Sequence, residues 1–325
     1  MGEPICAVEG FPVGGGTQWA LIRGVDRNLP VLLGVPAGPR FPLIPDANAL
    51  EAALHWEREF VVVYWDPRGC GKSFGALLPR MGLSLTQYVT DTAEMIQNMR
   101  SRLGVARVFL LGFSLGATIG AITASTLSDT LYAFVGVGMD VDWPEADKSA
   151  YAFLHKVAQE RMHERALRDV AAIGNGPVTD AKRFHLRAKW LAEFGGFYRK
   201  SNYRKLVFRQ VRRIMACRYY TVRNRIAAFR GMRVVADLML PELAGIRLSE
   251  RVRRLDVPVS LFQGRHDPLA SAAVAERYFV QLGAPRGKEL MWFESSAHMP
   301  QDDEPGLFRA ALCAVRDKAI SGPLK

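Results

Sequence analysis

Cysteine is scarce in this 325-residue chain, with only Cys6, Cys70, Cys217 and Cys313, no Cys-x-x-Cys pair and no metal-ligand spacing. That excludes a disulfide framework and a zinc ribbon, and reads as reduced thiols in a cytoplasmic protein. No motif asks for a metal or a cofactor. No run of about 18 uncharged apolar residues occurs, so no membrane-spanning helix is expected. The opening MGEPICAVEGFPVGGG has acids and prolines where a secretory signal needs basic and then apolar residues. Met1-Gly2 begins like a myristoylation signal, but Cys6 stands where Ser or Thr is required. Internal repeats are absent. Acidic residues are missing altogether from Arg199 to Arg233, a stretch that carries 12 Lys and Arg.

What is present is apolar patterning, with 49% of residues hydrophobic. Strands are expected near 18–23, 30–35, 60–65, 107–112, 133–138, 257–263 and 288–293. Helices are expected near 46–58, 86–103, 115–127, 271–282 and 304–318, with Thr86 capping the second. Strand and helix alternate with crossovers long enough for parallel pairing, which indicates an α/β fold, a doubly wound and mostly parallel sheet. Between residues 140 and 254 the alternation stops and the pattern is helical throughout. The chain therefore divides into a core, 1–139 and 255–325, and a helical insertion, 140–254. Residues 151–254 hold 24 Lys and Arg against 8 Asp and Glu, while the remainder is net negative.

Residues 108–120 read VFLLGFSLGATIG. An apolar strand runs into Gly112-Phe113-Ser114-Leu115-Gly116 and a small-residue helix follows, the context of a nucleophile elbow in an α/β-hydrolase. The turn is tight, so the flanking Gly112 and Gly116 must lack bulk. It lifts the Ser114 hydroxyl above the sheet and leaves the Leu115 N–H free at a helix N-terminus, where it can stabilise an oxyanion. A serine hydroxyl needs a base to take its proton and an acid to orient that base. In chain order the acid comes next, then the histidine. Asp267, after the strand VPVSLFQG, is the candidate acid, and His298, in the loop after KELMWF, the candidate base. Asp140 and Asp142, after the strand near 133–138, are rival acids. His55, His155, His163 and His185 fall on expected helices, and His266 next to the acid reads as local packing.

The segment FVVVYWDPRGCGKSF (60–74) resembles the strand and D-x-R-G-x-G-x-S loop of prolyl iminopeptidases, proline iminopeptidase-like serine hydrolases of the α/β-hydrolase superfamily. QWALIRGVDRNLPVLL, VPVSLFQGRHD and LMWFESSAHMPQDDEP are similar as well, so the likeness runs from about residue 13 to 310. It implies Ser114 as nucleophile with Asp267 and His298 as partners, a helical lid (cap) inserted into the core, and hydrolysis of a small amide or ester. It does not imply prolyl specificity. The family's H-G-G-P-G loop is replaced here by Pro36-Ala37-Gly38-Pro39-Arg40. The Gly38 N–H is the expected second oxyanion donor, since a main-chain donor needs no particular side chain. Pro36 donates no hydrogen bond, which leaves the position of this loop open. Arg40 reads as a solvated loop residue or as an attraction for an anionic group. The DPRGCGKS loop lacks the spacing of a phosphate-binding P-loop, and Asp66 and Arg68 read as pins that hold it in place.

Prolyl iminopeptidases hold the substrate amine with lid carboxylates, and lid acids are few here. Glu193 and Glu242 are the two expected to face the substrate, beside Ala37 and Phe113. The basic lid has three readings: a solvated surface, a docking face for an anionic partner, or attraction of an anionic substrate. No nucleic-acid-binding motif accompanies it, so nucleic acid is not an expected partner. The function expected is acyl transfer through a serine on an amide or ester of a small molecule or N-terminal aminoacyl group. A carboxylesterase or biosynthetic acyl hydrolase is the alternative, and a non-catalytic ligand receptor on the same fold a further one.

Overall fold

Residues 2–38, 41–75 and 83–321 are described by the computed structural model, and Pro39 and Arg40 of the oxyanion loop lie outside the described residues. Eight strands form one sheet in the order β1-β2-β4-β3-β5-β6-β7-β8. They are β1 (Ile5–Val13), β2 (Gly16–Gly24), β3 (Val31–Val35), β4 (Val61–Asp66), β5 (Val108–Phe113), β6 (Leu131–Val137), β7 (Val259–Gly264) and β8 (Lys288–Phe293). From β4 through β8 every neighbouring pair is parallel, and β1 and β2 add an antiparallel edge. Strands β3, β4, β5 and β7 are buried at every residue, as central parallel strands covered on both faces must be. This is the α/β-hydrolase arrangement.

β1 is a strand that sequence patterning did not resolve. It turns into β2 at Gly14 and Gly15, both with positive φ (59° and 74°), the tight turn that suits a twisted hairpin. The expected helices form as α1 (Ala47–Leu54), α2 (Leu85–Leu103) and α3 (Leu115–Thr126), then α10 (Ala272–Gln281) and α12 (Pro305–Ser321), with a short α11 (Pro300–Asp303) before the last. The cap of α2 is not Thr86. Ser84 stands one turn-start earlier, its hydroxyl accepting from the Gln87 N–H at 3.1 Å.

Between β6 and β7 the chain makes only helices: α4 (Trp143–Glu160), α5 (Glu164–Ile173), α6 (Ala181–Glu193), α7 (Tyr203–Ala216), α8 (Val222–Leu243) and α9 (Leu248–Arg251). Helices α4 to α6 wrap a small core of their own around Leu154, Val170 and Trp190. Inside it Arg187 pairs with Asp147, both nearly free of solvent. The long α8 behaves differently, burying Val235, Met239 and Leu243 in the main core under the sheet. Among the described residues no helix is long and apolar enough to cross a membrane.

Candidate active site

The β5–α3 turn places Ser114 at φ 53°, ψ −122°, a left-handed conformation that a serine adopts only when its surroundings enforce it. They do so by close packing. A Cβ on Gly116 would stand 2.4 Å from the carbonyl oxygens of Val35 and Pro36, so only glycine lets the start of α3 press against the end of β3. Ser114 N–H donates to the Val137 carbonyl at 2.8 Å, fastening the turn to β6. Pro36, Gly38 and Leu115 border one small void, which brings the two expected oxyanion donors to the same place. Gly38 has φ +61° there, so its N–H is aimed by a backbone turn rather than by a side chain. The loop keeps its position despite Pro36 because the contact is made by the Pro36 carbonyl.

His298 Nε2 lies 3.0 Å from Ser114 Oγ, and His298 Nδ1 lies 2.8 Å from Asp267 Oδ2. Asp267 is held by its own loop. Its Oδ1 accepts from the N–H groups of Leu269 and Ala270 at 2.8 and 2.9 Å, and Gln263 Nε2 donates to its Oδ2 at 3.2 Å. All three side chains are buried. Burial pulls the His298 pKa down, but the charge and hydrogen bond of Asp267, and the charge of Asp140, outweigh it and leave the imidazole above its ordinary value. Hydroxyl, imidazole and carboxylate thus form a chain through which a proton can leave the serine oxygen.

A fourth group joins them. Ser114 Oγ also reaches Asp140 Oδ2 at 3.0 Å, from the residue just past β6. Burial pushes the Asp140 carboxyl up to about 6, against the opposing pull of His298 and the serine hydroxyl. The rival acid is therefore on the serine side of the imidazole, and Asp267 is on the far side. Asp142 is elsewhere, capping α4 through the Glu145 N–H at 2.9 Å.

Ser114 and His298 open on a cavity of about 180 Å³. Phe41, Phe113, Phe184, Phe197, Leu206 and Met299 supply apolar walls, with Ala37 and Gly38 at the oxyanion side. Phe184, Phe197 and Leu206 belong to the insertion, so the cavity lies between it and the sheet. Sequence reasoning found Ala37 and Phe113 but not these insertion aromatics, which look like any half-buried helix residues in the sequence. Glu193 and Glu242 do not line the cavity. Both are exposed and serve as helix-start acceptors, Glu193 for the Tyr203 N–H at 3.2 Å and Glu242 for the Leu85 N–H at 2.9 Å. A carboxylate beside free backbone N–H groups gains more from them than from an apolar cavity.

The remaining candidates are structural. Asp66 accepts from the N–H groups of Ile44 and Lys72 at 3.1 and 3.0 Å and from the Tyr220 hydroxyl at 2.5 Å. Arg68 makes two bonds of 2.8 Å to Asp91, both side chains fully buried. His155 and His185 sit within helices, while His55 ends α1 and His163 caps α5 rather than lying inside them. His266 is exposed. Among the described residues no group of three His, Cys, Asp or Glu could hold a metal ion. The basic stretch divides. Arg204, Lys205 and Arg212 are exposed, whereas Arg209 and Arg213 turn inward to Asp302 and Asp46.

The family described as serine aminopeptidase, S33 matches residues 52–305. The probable aminopeptidase YbaC of Bacillus subtilis (strain 168) is 26% identical over 312 residues, 95% of this chain and 96% of that one. The solved structure of proline iminopeptidase from Mycobacterium smegmatis is similar with a TM-score of 0.65 at 18% identity, covering 98% of this chain and 100% of that one. Carboxylesterase CesB from Bacillus subtilis is similar with a TM-score of 0.60 at 14% identity, covering 99% and 93%. At these identities the two structures carry the fold alone. The family match takes in the elbow, both sides of the insertion and the histidine loop, and on it the chain belongs to the serine aminopeptidase S33 family of α/β-hydrolases.

Proposed function

We propose that this hydrolase cleaves an amide or ester bond of a small molecule, or of an N-terminal aminoacyl group, through an acyl-enzyme on Ser114. The observation that carries the reading is the unbroken line from Ser114 Oγ to His298 Nε2 at 3.0 Å and from His298 Nδ1 to Asp267 at 2.8 Å, opening on an apolar cavity. His298 takes the Ser114 proton as the oxygen attacks the carbonyl, and returns it to the leaving nitrogen or oxygen. The N–H groups of Leu115 and Gly38 hold the oxyanion, and Asp267 stabilises the imidazolium. Water then enters, gives its proton to His298, and releases the acid. The helices of 140–254 act as the lid over the cavity.

Cleavage of an aminoacyl group draws support from the aminopeptidase name of the Bacillus relative. The lining qualifies it, because Asp46 and Asp302 are each paired with an arginine and leave no spare carboxylate for a substrate ammonium. An ester or an amide without a free amine therefore suits the cavity as well as an aminoacyl substrate. A partner for the basic lid forms no part of this reading. The test is labelling by a fluorophosphonate and turnover of a panel of aminoacyl and acyl p-nitrophenyl esters and anilides. Stoichiometric labelling and turnover, lost by about 10³-fold or more in Ser114→Ala, are expected. Labelling without turnover of any member would favour the ligand-receptor reading instead.

A further inference from the structure

The wall of the cavity formed by α7 and α11 is polar, unlike the rest. Gln210 and Arg213 come from α7, Gln301 and Asp302 from α11, and Asp46 from the end of the segment before α1. The charges there cancel in pairs. Arg213 Nη1 lies 3.3 Å from Asp46 Oδ1, and Arg209 Nη1 lies 3.4 Å from Asp302 Oδ1. Arg209 is further fixed by its guanidinium lying 4.3 Å from the centre of the Tyr198 ring. Burial pushes the Asp46 and Asp302 carboxyls up, and the arginines pull them back down.

Three buried polar atoms remain without a partner in the protein: Arg209 Nη2, Gln210 Nε2 and Gln301 Oε1. Gln301 is itself only 6% exposed and borders the cavity. Leaving buried polar groups unpaired costs stability. Three of them around one cavity wall mark a surface shaped for something other than folding. Two are donors and one is an acceptor. Around them the fixed charge is zero. A carboxylate or an ammonium would therefore enter with its own charge uncompensated. A neutral amide matches the set: its carbonyl oxygen accepts two hydrogen bonds and its N–H donates one.

We propose that this wall is a subsite for a neutral amide group of the ligand, a primary carboxamide or a peptide unit. Arg209 and Gln210 donate to its oxygen and Gln301 accepts from its nitrogen. The position of Gln301 limits the distance. It follows His298 by three residues, which span at most about 10 Å. The amide thus lies one or two residues' length from the carbonyl that Ser114 attacks, as in a short peptide or an amidated amino acid derivative. The subsite rests on the hydrolase reading only for that spacing.

Binding of six-carbon probes, followed by titration calorimetry, tests it without any need for turnover. The probes are hexanamide, hexanoate, hexylammonium and 2-heptanone, on the native protein and on Ser114→Ala. Hexanamide is expected to bind about tenfold more tightly than the two charged probes. 2-Heptanone, which offers the acceptor without the donor, should fall between them. Gln210→Leu and Gln301→Leu should each weaken hexanamide about fivefold and leave 2-heptanone changed less in Gln301→Leu, as expected for one neutral hydrogen bond. Both variants should melt at or above the native temperature, since each removes an unpaired buried amide. That separates a lost contact from a lost fold. Equal binding of all four probes, no binding of hexanamide, tighter binding of either charged probe, or a preference unchanged in both variants would overturn the subsite. Failure of serine turnover with hexanamide preference intact would overturn the hydrolase reading and leave the subsite standing.

Discussion

The Ser114 hydroxyl has one proton and two acceptors at 3.0 Å, His298 Nε2 and Asp140 Oδ2. Only the first leads to chemistry, because imidazole can pass the proton on while a carboxylate in that place holds the oxygen back. Asp140 also adds its charge to that of Asp267 in raising the His298 pKa. The two acids should therefore separate by mutation. Asp267→Asn leaves His298 without its orienting charge and is expected to lower kcat about 10²- to 10⁴-fold. Asp140→Asn removes a negative charge near the imidazolium, so the His298 pKa should fall. The acid limb of the kcat/KM profile, which is set by protonation of His298 as pH drops, should then move to lower pH with kcat at its plateau little reduced. A pH–rate series on both variants and the native enzyme checks this. A larger kcat loss in Asp140→Asn than in Asp267→Asn would exchange their roles. The serine and the histidine could be found from the sequence because their neighbours announce them, one by flanking glycines and the other by its loop after a strand. Asp140 could be named but not assigned, since its distance to Ser114 depends on how β6 lies beside β5.

Among elements, the elbow and the lid hinge on contacts between segments far apart in the chain. Gly116→Ala would drive a methyl into the Val35 and Pro36 carbonyls, and backbone cannot yield as a side chain does. The loop carrying Gly38 should shift away from Leu115. We expect kcat to fall more than tenfold with a smaller change in KM, because the oxyanion exists only in the transition state. Steady-state kinetics on one ester decides it. The connection between α7 and α8 is fastened to the core by the Tyr220 hydroxyl on Asp66, whose carboxyl burial raises to about 7. That bond favours the ionised acid. Its contribution is therefore largest above the Asp66 pKa and shrinks as pH falls through it. Tyr220→Phe should lower Tm at pH 8 by an amount equivalent to about 1–3 kcal/mol, and by less at pH 5. Melting curves at the two pH values measure the difference, and an equal loss at both would remove the assigned ionisation. The patterns of Ser-x-x-Gln at 84–87 and Gly-Phe-Ser-Leu-Gly at 112–116 act through local geometry. By contrast β1, broken by Gly10 and Pro12 and with no strong alternation, becomes a strand because β2 offers it an edge.

At the scale of the whole molecule the net charge of +11 is unevenly carried, with the excess on the helices between β6 and β7. Two of its arginines, Arg209 and Arg213, are neutralised inside against Asp302 and Asp46. The outward Arg204, Lys205 and Arg212 face water, where a charge beyond a Debye length of about 10 Å at 0.1 M salt is largely screened. Replacing those three by glutamine should leave kcat/KM on a neutral ester within about twofold of native at low and high salt. Arg213→Gln, which strands the buried Asp46, should lower both stability and kcat/KM. Parallel kinetics at 0.05 and 0.5 M salt compare them. A salt-dependent loss in the triple variant would return the outward charge to the reaction.

By itself the sequence determined the sheet and the order of its chemistry. Fully apolar strands such as Val61–Trp65 and Val108–Leu111 have no solvent face and must lie inside a parallel sheet. A serine between glycines after such a strand has few other conformations open to it. Local pattern and covalent geometry suffice for these, because each depends on neighbours a few residues away. Tertiary structure decided what the site recognises. It brought Phe184, Phe197 and Leu206 over Ser114, turned Glu193 and Glu242 to helix starts, and drew Arg209 and Arg213 from a run of surface-like cations onto Asp302 and Asp46. Those outcomes follow from which helix face meets the sheet. That choice is made by burial summed over segments more than a hundred residues apart, and no single stretch of the chain records it.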